Sequence, residues 1–299
     1  MNCPICDSGD TRRTRRVPGS VLYHCRACDV GFADPMRAAT AEWYAASPLY
    51  LNVKALHVPL GWHHGRFLDH AGPGAGRTLL DVGCGTGTFL AQARDRGFVP
   101  AGLDFDAGNI RIARQRYGLQ DVHALSVDDF ARREPGTGYD AVTLFEVVEH
   151  VEDPRALLRS ARALMAPGGV LAFSTPNRNR TLDTLRDGDW PPNHLTRWSA
   201  RAVRTLVESA GFRLEAVEIK PFDASEIAGW LRARIRFGVA RRLLTQGVAA
   251  GDPETVQRAA AIMGVKERLL NAVAWPLAPA ARALGAQGSG MVAIASVRP

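Results

Sequence analysis

An apolar run, Thr78-Leu79-Leu80-Asp81-Val82, leads straight into Gly83-Cys84-Gly85-Thr86-Gly87, and a helix-like pattern begins at Thr88. This order constrains the chain more than any other feature. It predicts a buried parallel strand whose carboxyl end turns tightly into a helix. Residues without Cβ let backbone N–H groups at such a turn approach a ligand closely. A second apolar run, Phe98 to Leu103, ends in Asp104. An acidic residue at the tip of the second strand, roughly 20 residues beyond the loop, is placed to bond both hydroxyls of a ribose. The glycines lack the spacing of pyrophosphate-binding loops, and Asp81 precedes the first of them. That carboxylate suits a ligand with a cationic amine near the loop.

Further motifs follow in order. Ser126-Val127-Asp128-Asp129-Phe130 comes after a third strand-like run, and Tyr139 to Glu146 forms a fourth. Leu164-Met165-Ala166-Pro167-Gly168-Gly169 precedes a fifth, Val170 to Thr175. This succession resembles the class I S-adenosylmethionine-dependent methyltransferases, over about residues 55–220 and the C-terminal strand. The resemblance implies a Rossmann-like α/β fold with a seven-stranded sheet, the last strand antiparallel between the fifth and sixth. It implies S-adenosylmethionine as cofactor, an amino acid, sulfonium, ribose and adenine in one ligand. It places cofactor contacts at Asp81, Gly83, Cys84, Gly85, Thr86, Gly87, Asp104, Phe105, Val127, Asp128 and Phe145.

Alternating signals support the same architecture. Strands are expected at 78–82, 99–103, 121–125, 139–145, 170–175 and 212–219, and helices at 87–96, 107–116, 153–165 and 199–210. Such alternation makes a parallel sheet with helices on both faces and a ligand at the strands' carboxyl ends.

Four of the 5 cysteines, Cys3, Cys6, Cys25 and Cys28, form two C-x2-C pairs. This is the spacing of a structural zinc site, with all four positions taken by thiolate and none left for water. Residues 1–35 are therefore expected to be a zinc ribbon that folds as its own unit around the ion. No signal-like segment opens the sequence, so a cytoplasmic protein is expected. Residues 36–76 read as a helical lid, where Tyr50 is a candidate ligand contact, and 77–220 as the core. Residues 221–287 read as a helical insertion and 288–299 as the final strand. The basic, partly amphipathic stretch 229–244 suits a helical cap or a peripheral membrane contact, and no run is long enough for a transmembrane helix. Arg12, Arg13, Arg15 and Arg16 between the cysteine pairs suit a solvated hairpin or an anion or RNA contact. The net charge of +7 permits an anionic partner without selecting one.

Two segments carry the candidate chemistry. Glu146, Glu149 and His150 follow the fourth strand. They resemble the corresponding segment of ubiquinone-biosynthesis O-methyltransferases, where the glutamates and histidine are associated with a divalent cation. The resemblance implies either Mg²⁺ here or a brace for the cofactor loop. Trp190-Pro191-Pro192-Asn193-His194 lies in a long loop beyond the fifth strand, where acceptor recognition usually sits. A neutral His194 there suits a general base. The proline–histidine loop and the ribbon together resemble methyltransferases of glycan and secondary-metabolite biosynthesis. The expected reaction is O-methylation of a small or sugar-linked acceptor. No Asn/Asp-Pro-Pro-Tyr or Pro-Cys motif suggests base methylation. RNA methylation and cofactor binding without turnover remain the alternatives.

Overall fold

The computed structural model describes residues 1–40, 43–44, 60–134, 136, 138–234 and 252–297. Tyr50 and residues 235–244 of the basic stretch lie outside them.

Eleven strands and nine helices of four residues or more, one further 3-10 turn aside, make up the described chain. The core begins with α1 (Trp62–Ala71), β4 (Thr78–Val82), α2 (Thr88–Asp95), β5 (Val99–Leu103), α3 (Ala107–Tyr117) and β6 (Val122–His123). It continues with α4 (Val127–Arg133), β7 (Tyr139–Phe145), α5 (Pro154–Ala163) and β8 (Met165–Pro176). After the two-residue β9 (Thr196–Arg197) come α6 (Ala200–Ser209), β10 (Phe212–Pro221), α7 (Ala224–Arg234), α8 (Pro253–Ala274), α9 (Ala278–Ala283) and β11 (Gln287–Val297). The seven-stranded sheet has the order β10-β11-β8-β7-β4-β5-β6. β11 is antiparallel to both β8 and β10, as the family resemblance implies.

The sequence dictates these elements locally. β4 is buried from Leu79 to Val82, which its apolar run requires between two sheet neighbours. α3 starts on Asp106, whose side chain accepts from the Gly108 N–H, and ends at Gly118 in the left-handed region. α5 and α6 are capped by Asp153 and Ser199 and bury one apolar face each. α4 was not anticipated; Ser126 caps it, accepting from the Asp129 N–H.

The N-terminal segment forms β1 (Thr11–Val17), β2 (Ser20–Cys25) and β3 (Gly31–Asp34). It shares a sheet and a hydrophobic cluster with the rest of the described chain. β9, from the loop after β8, completes its sheet in the order β1-β2-β3-β9. Cys3, Ile5, Cys25, Val30 and Phe32 share one hydrophobic cluster with Leu158, Trp198 and Leu206 of the core. None of the described helices is long and apolar enough to cross a membrane.

Candidate active site

Two cavities open at the carboxyl ends of the central strands. The first, about 480 Å³, is lined by Gly83, Gly85, Asp104, Phe105, Glu146 and His150, with Ala38, Ala39 and Tyr44 from the N-terminal side. A neighbouring cavity of about 330 Å³ is lined by Val127, Asp128, Leu125 and Ser126 and shares Gly83, Asp104 and Phe105. The glycine turn fits its expected role: Gly83 has φ +81°, and a Cβ there would meet Val147 Cγ2 at 2.6 Å. Asp104 accepts from the Gly85 N–H at 2.9 Å, the Asp106 N–H at 2.8 Å and Asn109 Nδ2 at 3.2 Å. A carboxylate has about four acceptor positions, so capacity for a ribose hydroxyl is left. Burial pushes its carboxyl up, while these donors oppose the shift.

Other expected contacts lie one layer deeper. Asp81 is buried behind the turn and accepts from Thr143 Oγ1 at 2.6 Å. Burial raises its carboxyl to about 7, with Thr143 opposing and Asp104 adding to the rise. Cys84 packs beneath the loop, close to Gly102, and Thr86 is also buried. Gly87 starts α2 from the left-handed region, against Ala113 and Leu119. Phe145 points away from the cavity. Its ring lies 5.0 Å from Phe89 and 4.7 Å from His64, so it is a core residue and lines neither cavity.

The acidic turn after β7 also departs from expectation. Glu146 has φ 56°, a region that non-glycine residues rarely adopt. Its carboxylate faces the cavity and accepts from Ser174 Oγ at 2.7 Å. Glu149 points inward instead, 1% exposed, with neither carboxylate oxygen hydrogen-bonded. Burial, with Glu146 adding, raises its carboxyl well above the usual range. The three groups that converge are Glu149, His150 and His194, with ligating atoms within 4.8 Å of one another. Glu146 is not among them. One carboxyl and two imidazoles suit Mg²⁺ poorly, since that ion takes oxygen ligands in an octahedron. The expected Mg²⁺ set is therefore not assembled.

His194 lies behind His150 and does not line the first cavity. The two rings are 4.8 Å apart, and His194 Nδ1 lies 3.3 Å from Asp189 Oδ1. His150 faces the cavity and donates Nδ1–H to the Asn193 carbonyl at 2.6 Å, which leaves Nε2 unprotonated. Burial, and then His194, lowers the His150 imidazole to about 4. Asp189 was missed in the sequence. Burial works to raise its carboxyl, but His194, Arg180 at 2.7 Å and Arg197 hold it low. Its nearness to His194 in sequence was the available signal.

The cysteines converge as their spacing predicts. Cys3 and Cys28 sulfurs lie 3.6 Å apart, as do those of Cys6 and Cys25. Sulfurs around a tetrahedral ion at about 2.3 Å are separated by about 3.8 Å. All four fall within 4.8 Å of one another, a donor set that fits zinc. The bond between Cys3 and Cys28 pushes the Cys28 thiol up and the Cys3 thiol down, to about 5.

The family described as Methyltransferase domain matches residues 64–217. A ubiquinone biosynthesis O-methyltransferase of Bordetella bronchiseptica is 34% identical over 157 residues, 50% of this chain and 63% of that protein. The match thus spans less than two thirds of that relative. An uncharacterised methyltransferase of Mycobacterium bovis is 31% identical over 61% of this chain and 89% of its own length. The fold is similar to a phosphoethanolamine N-methyltransferase of Haemonchus contortus solved with S-adenosyl-L-methionine, with a TM-score of 0.56, 16% identity, and 90% and 62% of the two chains covered. The chain belongs to the methyltransferase domain family and has the class I, S-adenosylmethionine-dependent fold.

Proposed function

We propose that the chain transfers the methyl group of S-adenosylmethionine to an oxygen of a small or sugar-linked acceptor. The observation that carries this is Asp104 joined to the Gly85 N–H at 2.9 Å, beside two neighbouring cavities that share Gly83, Asp104 and Phe105. Adenine is assigned to the Val127–Asp128 side, ribose to Asp104, and the methionine end to Gly83 and Gly85 with Asp81 behind them. The likeness to an O-methyltransferase favours oxygen as the methylated atom.

The sulfonium is already a good leaving group. The protein has to hold oxygen, methyl and sulfur in line and accept the hydroxyl proton. Oxygen attacks the methyl carbon, the carbon–sulfur bond breaks, and its electrons stay on the thioether. The His150 imidazole is the proposed proton acceptor, because that ring lines the cavity and is kept neutral by burial; its Nε2 lies 3.9 Å from Glu149 Oε1. His194 and Asp189 position it. The base role expected of His194 moves one ring toward the cofactor. Zinc in the four-cysteine site is proposed as a structural clip, and no step runs through a metal. Thiols that must stay reduced favour a cytoplasmic enzyme.

A screen of candidate metabolites with the full chain and S-adenosylmethionine tests the reading. A mass gain of one methyl group on a hydroxyl is expected. Cofactor binding without any methylated product would leave only the binding role.

A further inference from the structure

A second opening of about 210 Å³ lies between the cysteine-bearing sheet and the loop after β8. His194 lines it, while His150 lines the cofactor cavity, and the rings of this pair are 4.8 Å apart. The linings of the two openings meet at this imidazole pair.

The charge around this opening is unbalanced. Arg178 and Arg197 line it, and Arg15 reaches it from β1, with Cζ 4.9 Å from the centre of the Trp190 ring. Arg197 lies over the same ring at 4.5 Å. The one carboxylate in the lining is Asp189, which already holds Arg180 at 2.7 Å and Arg197 at 2.9 Å. Arg178 is held by the Asp29 carbonyl at 2.7 Å and by the Asp29 carboxylate at 3.2 Å. Arg15 lies over the Trp190 ring and has no carboxylate partner among the described residues. Four guanidinium groups, those of Arg15, Arg178, Arg180 and Arg197, thus gather around Asp189 and Asp29, and Arg15 alone of them has no carboxylate partner among the described residues. A guanidinium fork matches the oxygens of a phosphate, and a partly enclosed site strengthens that attraction.

We infer that this opening is the anion subsite of the acceptor: it takes a phosphate or diphosphate ester, gripped by Arg15, Arg178 and Arg197 beside Trp190. The acceptor's hydroxyl then lies toward the His150–His194 pair. The cysteine-bearing sheet is thereby part of the substrate site and sets which acceptors are accepted. The inference rests on the methyltransferase reading and names its substrate class.

Calorimetry on the zinc-loaded full chain with S-adenosylhomocysteine bound, titrated with inorganic pyrophosphate, tests it. Saturable binding at one site is expected. Arg15→Glu should weaken it by about tenfold or more, the scale of a lost charge-assisted bond. Arg116→Glu changes the net charge equally at an exposed position of α3 that is not part of the opening's lining, and should leave the affinity within about twofold, since a screened surface charge has little reach. Absence of saturable binding, or equal loss in both variants, overturns the subsite. Sedimentation with phosphatidate vesicles, lost in Arg15→Glu alone, assigns a lipid-linked phosphate; pyrophosphate binding without sedimentation assigns a soluble ester. S-adenosylhomocysteine affinity is measured on each protein. Failure there would count against the methyltransferase reading and not against the subsite.

Discussion

Phe32 pairs with Thr196 across an antiparallel ladder, and this pairing ties the cysteine-bearing segment to the loop that carries His194. The ladder is continued by Gly31 with Arg197, and the Ala33 N–H donates to the Leu195 carbonyl at 2.9 Å. Leu195 in turn donates its N–H to the Glu149 carbonyl at 2.7 Å. A continuous backbone path thus runs from the four-cysteine cluster to the turn after β7. The segment expected to fold alone is hydrogen-bonded to the loop that carries His194.

This path changes what loss of zinc should do. One equivalent of zinc is expected by elemental analysis, and Cys25→Ser should release it. The shared sheet and core predict a lower midpoint for the whole protein in a single thermal transition, at roughly 2–4 °C per kcal/mol lost for a chain of this size. Acceptor turnover should fall with it. Two separate transitions, with the second unmoved, would restore the ribbon as an independent unit.

The cofactor site makes a firmer claim. Asp104 holds the glycine turn and, in the proposed complex, the ribose. Asp104→Ala should weaken S-adenosylmethionine binding by about 1.5–3 kcal/mol, the scale of hydrogen bonds to a charged group. Titration calorimetry reads this directly, and an unchanged affinity would remove the ribose assignment.

Legibility in the sequence follows how local each signal is. β4, its glycine turn and α2 were readable because apolar run, glycines and helix start are contiguous. Asp104 was readable because it ends a strand that pairs with β4. The four cysteines announced their cluster by spacing alone. β9 was not readable: Thr196–Arg197 is too short to show a period, and its partner lies far off in sequence. Phe145 was misplaced because a strand buried on both faces gives no alternation to tell inward from outward. Glu146 and Glu149 look like a pair in sequence. The left-handed backbone at Glu146 turns one to the cavity and the other into the core.

Asp81 predicts a pH dependence of cofactor binding. Burial lifts its carboxyl to about 7 in the free protein, so the proton must leave before the carboxylate can face a cationic amine. Below pH 7 that deprotonation opposes binding, so affinity should fall with acid, by up to about tenfold per pH unit. Above pH 7 it should level off. Calorimetry in buffers of different ionisation enthalpy should also show proton release on binding near neutrality. Asp81→Asn should flatten the profile; a wild-type affinity already flat between pH 5.5 and 8 would refute this coupling.

The imidazole pair predicts an order of effects. His150→Ala should lower kcat by about 10²–10⁴, the usual worth of a general base, with cofactor affinity near native. The acid limb of the rate should lie near the lowered His150 value of about 4, because the protonated ring cannot accept a proton. His194 helps to lower that value, so His194→Ala should move the limb upward while retaining more activity than His150→Ala. A rate unchanged in both variants would leave alignment of oxygen, methyl and sulfur as the whole of catalysis.

Glu149→Gln separates a buried neutral acid from a metal ligand. The wild-type carboxyl is raised from 4.5 by burial and by Glu146, and neither of its oxygens is hydrogen-bonded. A group whose folded value is raised binds more protons in the fold than in the unfolded chain. Its contribution to stability is complete below pH 4.5 and is lost progressively as pH rises toward the folded value. Glutamine has nearly the same shape and carries no titratable proton. The variant should therefore gain melting temperature over wild type at pH 8, and the gain should shrink as pH falls toward 4.5. Turnover should survive and stay indifferent to chelator. If Glu149 instead joins His150 and His194 around a cation, the neutral amide weakens that ion. The variant would then melt lower than wild type at pH 8, and a chelator would reproduce the loss in the unmodified protein.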